Sequence, residues 1–144
     1  MGTLIRSLRW PVTALLITGA LHFTAEAIRP DLRAVFTPAT LGPILLVYGL
    51  WAGHDAARRA HGFGLAVVAG AILGLLPAAL DTVGFGILLG RGLDAGAGAG
   101  AFGWLMIVFG SLAGGGVAMS RLVVAEPDAV TAALGAPAAV EQPA

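Results

Sequence analysis

The sequence has no cysteine, which excludes disulfides, thiolate nucleophiles, iron–sulfur clusters and zinc sites built on cysteine. Lysine is missing too: all eight basic residues are arginine. That removes a phosphate-gripping P-loop lysine, Schiff-base chemistry and a Ser–Lys dyad. Charge of either sign is scarce, at 11% of 144 residues, where a soluble domain carries roughly 25%. The arginines are scattered and the net charge is +0, so no electrostatic footprint for nucleic acid remains.

What fills the chain instead is apolar. Hydrophobic residues make up 58% of it and its mean hydropathy is +0.90, so lipid is the solvent for most of its length. A helix rises 1.5 Å per residue, and about 19 apolar residues cross the roughly 30 Å hydrocarbon core. Four runs meet that length, at about 10–28, 34–53, 63–89 and 102–124. The expected architecture is an all-α integral membrane bundle of four transmembrane helices, occupying residues 1–124. Thr37 and Pro38 suit an N-cap and first helical position for the second helix, and Pro77 should bend the third. His54–His61 reads as a water-facing loop and Arg91–Ala101 as a Gly/Ala-rich one. Residues 125–144, rich in Ala, Pro and acid, read as a disordered tail.

Arginine placement sets the expected orientation. With four spans, Arg6, Arg9, Arg58, Arg59 and Arg121 share one side, against Arg29, Arg33 and Arg91 on the other. The positive-inside rule then puts both termini in the cytoplasm of a cell with a cytoplasmic (inner) membrane. Trp10, Trp51 and Trp104 fall near span ends, where interfacial anchors sit. An alternative reading takes residues 1–27 as a cleaved signal peptide ending at Ala25-Glu26-Ala27, which leaves three spans in the same orientation.

Small residues recur every fourth position along the third helix: Gly62, Ala66, Gly70, Gly74, Ala78, Thr82, Gly86 and Gly90. The fourth helix repeats the theme with Gly110, Gly114 and Ala118. Such rows let helix backbones approach closely in lipid, so Gly70, Gly74, Ala78, Gly110 and Gly114 are expected at helix contacts, within one copy or between copies.

Polar residues inside spans are costly and are functional candidates by default. His22 and Glu26 lie one turn apart on the first helix, and Asp81 lies one turn beyond Pro77 on the third. His22 and Asp81 fall at matching depth, so they are expected to form an interhelical pair that carries a proton, grips a ligand or ties the helices together. Glu26 is expected to pair with Arg29 at the interface. His54, Asp55 and His61 match no metal-ligand spacing. The Gly96–Ala101 stretch follows no strand, so it is no dinucleotide fingerprint, and Ser111 lies outside a nucleophile elbow. No metal and no cofactor are expected, axial haem or chlorin ligation by His22 being the one exception considered.

The expected function is therefore a small, non-enzymatic packing or accessory subunit, joined to itself or to a larger membrane complex. Two alternatives use the same polar residues: an oligomeric transporter or channel component, and a cofactor- or quinone-binding subunit.

Overall fold

The computed structural model describes residues 2–135, with side chains through Leu122. The described residues form helices joined by short turns: α1 (Gly2–Ile28), a 3-10 turn (Pro30–Ala34), α2 (Pro38–Ala60), α3 (Gly64–Ala79) and α4 (Leu93–Gly135). A π-helical segment, Leu80–Leu88, continues α3. Three stretches are long and apolar enough to cross a membrane: Gly2–Ile28, Gly64–Leu88 and Leu93–Leu122. The molecule is a helical membrane protein, and its surface agrees. Trp10 is 60% exposed, Leu21 66% and Leu75 60%, while the buried positions go largely to Ala and Gly. Large apolar side chains outside and small ones inside invert the soluble pattern.

Local chemistry explains the helix ends. Pro30 closes α1, because a proline there cannot continue the ladder. Thr37 caps α2 with Pro38 in the first turn, and the Thr37 N–H donates to Thr40 Oγ1 at 3.0 Å. α2 ends where His61 takes a left-handed φ of 50°, and Gly62 N–H reaches back to the Ala57 carbonyl at 3.2 Å.

α2 and α4 run parallel and make the most extensive contact in the bundle. A Cβ on Gly49 or Gly53 of α2 would land on the carbonyl oxygens of Ile107 and Ser111. Reciprocally, a Cβ on Gly110 or Gly114 of α4 would land on those of Leu46 and Leu50. Two glycines spaced by four on each helix therefore face each other with backbone against backbone. α3 crosses α4 in the opposite sense. Gly70 lies against Ser111, Gly74 against Trp104, and Ala78 against Gly100, in that order along the pair. α1 packs on α2, α3 and the π segment, and among the described residues its backbone does not come close to that of α4.

Four sequence expectations change here. All but the last residue of the polar stretch 54–61 belongs to the last two turns of α2 rather than to a loop, and His61 caps it. Ala56 and Ala57 are fully buried, and Asp55 accepts from Arg59 one turn on, at 2.7 Å. Gly96–Ala101 is likewise helical, within the first turns of α4. Glycine's weak helix propensity yields to packing there, because Gly96 and Gly100 sit against the backbones of Asp81 and Ala78. Trp104 is no interfacial anchor: its indole N–H donates to the Ala71 carbonyl at 3.2 Å, inside the α3–α4 contact. α4 also continues to Gly135, into the segment expected to be disordered, and residues 136–144 lie outside those described.

Candidate functional site

The up-down-up-down path brings the C-terminal ends of α1 and the π segment together with the N-terminal ends of α2 and α4. The polar side chains of the bundle interior gather at this end. His22 on α1 lies between two aromatic rings, Phe36 at 4.4 Å and Phe85 at 4.5 Å between centroids. Its Nε2 is 2.9 Å from Glu26 Oε1. The second oxygen of Glu26 forms an ion pair with Arg91, which stands in the short turn before α4. The Arg91 guanidinium also lies over the Phe85 ring, 4.8 Å from its centre. A chain of contacts thus runs His22–Glu26–Arg91, with Glu26 only 5% exposed.

Burial lowers the pKa of Arg91 from its ordinary value, yet guanidinium starts so high that it stays charged. Its positive charge offsets the cost of burying the Glu26 carboxyl group, which would be prohibitive for an unpaired carboxylate. Arg29, expected to fill that role, pairs instead with Asp31 through two hydrogen bonds of 2.9 and 2.7 Å. That pairing holds the exposed Asp31 carboxyl below its ordinary value. The physical reason is the end of α1 at Ile28. Beyond it the backbone turns into the 3-10 segment and carries Arg29 off the helical row that holds Glu26.

Asp81, in the first turn of the π segment, makes no side-chain hydrogen bond or ion pair among the described residues, so the expected bond to His22 is not formed. The two residues do share space. A cavity of about 50 Å³ is lined by both, with Thr18, Pro77 and Leu80 among its walls. A second, of about 110 Å³, is lined by both together with Phe36, Arg91 and Phe102. One water needs roughly 10–15 Å³ of such volume and two or more polar partners, so both cavities have room for water between His22 and Asp81. Below them, Thr18 spends its hydroxyl proton on the Ala14 carbonyl at 2.9 Å. Tyr48 must therefore be the donor in the 2.7 Å contact between the two hydroxyls, which links α1 to α2.

The remaining candidates fall elsewhere. Gly70, Gly74 and Ala78 line the α3–α4 contact, and Gly110 and Gly114 the α2–α4 contact. Among the described residues no three His, Asp or Glu side chains stand close enough to hold a metal ion. Sequence reading missed Arg91, which looked like one of three loop arginines. The signal available was the buried acid itself, which needs a cation, and the proline that takes Arg29 away from it. It also missed Gly49 and Gly53, although they carry the same four-residue spacing as Gly110 and Gly114.

No protein-family model, curated protein or solved structure matches the chain.

Proposed function

We propose that this protein is a small, non-enzymatic subunit of the cytoplasmic membrane whose polar centre takes up and releases a proton at Asp81. In this reading the bundle spans the membrane four times, α2 being the fourth span, with both termini in the cytoplasm. Its Gly/Ala contacts make it rigid, and it works within an oligomer or a larger membrane complex. One observation carries the proposal. Among the described residues the bundle interior holds two acids at one end, and only one of them, Glu26, is ion-paired; Arg91 lines one of the cavities beside Asp81 but is bonded to Glu26. Asp81 faces two small cavities with no cation bonded to it, and an ionised acid so placed is neutralised by what enters; the smallest such species is a proton. Flanking π-helical backbone fits the reading, since π turns occur often at functional sites.

The cofactor alternative has less support. Phe36 and Phe85 stack against His22 and its Nε2 faces Glu26, which argues against axial haem or chlorin ligation.

The test is infrared difference spectroscopy of the reconstituted protein during a pH titration, following the carboxylic acid C=O band. The exposed acids titrate in every variant; the wild type and Glu26→Gln are expected to share one further titrating carboxyl band that is missing from Asp81→Asn. An unchanged titration in Asp81→Asn would overturn the proposal.

A further inference from the structure

The membrane-facing side of α1 does not close against α3. Between them lies a groove of about 610 Å³, with Leu16, Ala20 and Phe23 on one wall and Ala79, Val83 and Leu88 on the other. That volume lies in the range of small-molecule sites, and the walls are almost wholly apolar. At its upper end the groove gives way to a separate polar mouth of about 170 Å³, lined by Glu26, Ala27, Pro30, Arg33, Leu89 and Arg91. The two follow one another along the chain, Thr24 and Leu88 lining the groove and Ala27 and Leu89 the mouth.

We propose that this groove and mouth together hold one anionic phospholipid, its acyl chain along α1 and its phosphate at Arg33 and Arg91. Two features select that occupant. The first is length: from Leu16 to Ala27 α1 rises about 16 Å, half of the roughly 30 Å hydrocarbon core and so the depth of one leaflet. An apolar slot of one-leaflet depth with a polar mouth at its end has the shape of a single lipid. The second is charge. Glu26 at the mouth is already matched by Arg91, and nearby Asp31 is matched by Arg29. Arg33 is exposed and has no ion-pair partner among the described residues, so the mouth carries one positive charge in excess. A phosphate diester supplies one negative charge, whereas a zwitterionic headgroup brings a cation that Arg33 repels. The proposal stands on the membrane reading alone and does not depend on protonation of Asp81.

The experiment is native mass spectrometry of the full chain, released from detergent in the presence of palmitoyl-oleoyl phosphatidylglycerol or of phosphatidylcholine with the same acyl chains. The wild type should retain one phosphatidylglycerol in preference to phosphatidylcholine. Arg33→Gln should reduce that preference roughly fivefold, the effect of one arginine near a phosphate layer. Arg6→Gln, which removes the same charge at the other end of α1, should leave it unchanged. Ala20→Phe, which fills the groove, should reduce retention of both lipids; if that variant misfolds, the arginine comparison decides alone. Equal retention of the two lipids by the wild type would overturn the proposal, as would equal losses in the two arginine variants. So would a dimer that Ala20→Phe dissociates, since the groove would then belong to a second copy.

Discussion

Arg91 reaches from the turn before α4 to the carboxylate of Glu26 on α1, joining two helices whose backbones do not come close among the described residues. The pair is well shielded, with side-chain exposures of 16% and 4%. Removing one partner of such a pair leaves the other charged and buried, which costs about 3–5 kcal/mol. Glu26→Gln and Arg91→Gln should therefore each destabilise the detergent-solubilised protein strongly. The double variant should lose clearly less than the sum, because no charge is then left alone. Thermal unfolding of the four proteins checks this, and additive losses would mean that the two side chains do not interact.

Glycine to alanine should have opposite signs at different places in the bundle. At Gly53 the new Cβ meets the Ser111 carbonyl, and the parallel helices α2 and α4 must separate. At Gly98 and Gly116 nothing lies within 4 Å of the new atom, and alanine there only reduces the backbone freedom of the unfolded chain. Gly98→Ala and Gly116→Ala should each stabilise by about 0.5–1 kcal/mol. Gly53→Ala should destabilise by more than that. Melting temperatures of the three variants read the signs directly, and a shared sign would show that the close approach of α2 and α4 is absent.

These glycines also show how far the sequence was legible. Hydropathy and helix rise identify an all-helical membrane protein, because those signals are local. The position of α4's start was not legible, because Gly96 and Gly100 are poor helix formers that only a facing backbone makes helical. The polar centre was half legible. The four-residue spacing put His22 and Glu26 on one row, and depth put Asp81 near them. Which cation meets Glu26 depends on where the chain turns after Ile28 and on where the turn before α4 lies. Both are tertiary facts, and spacing along one helix does not contain them.

A topology experiment separates four spans from three. Reporters in the turn at Gly62 and after Ala144 are expected on the cytoplasmic side, and one in the turn at Gly90 on the opposite side. Arginine counts motivate the direction. The existence of α2 as a 23-residue helix, packed along its length on α4, motivates the span number. Disagreement between Gly62 and the C-terminus would overturn the four-span arrangement, and a cytoplasmic Gly90 alone would invert it.

Ser111 and Gly70 exchange space across the α3–α4 contact. Ser111 is fully buried, and its hydroxyl donates to the Ala66 carbonyl at 2.6 Å. A Cβ on Gly70 would stand 2.5 Å from the Cβ of Ser111, closer than two carbons can pack. Ser111→Ala removes the hydrogen bond but leaves the space unchanged, and the Ala66 carbonyl keeps its helical partner, so a loss of about 1 kcal/mol is expected. Gly70→Ala inserts the clashing atom and should lose more, in the range of about 1–3 kcal/mol for an overpacked core. Ser111→Gly added to Gly70→Ala takes away the atom that is struck, so the double variant should be more stable than Gly70→Ala alone despite the lost hydrogen bond. Thermal unfolding in one detergent compares all four proteins. A double variant less stable than Gly70→Ala would mean that the new methyl strikes something other than Ser111.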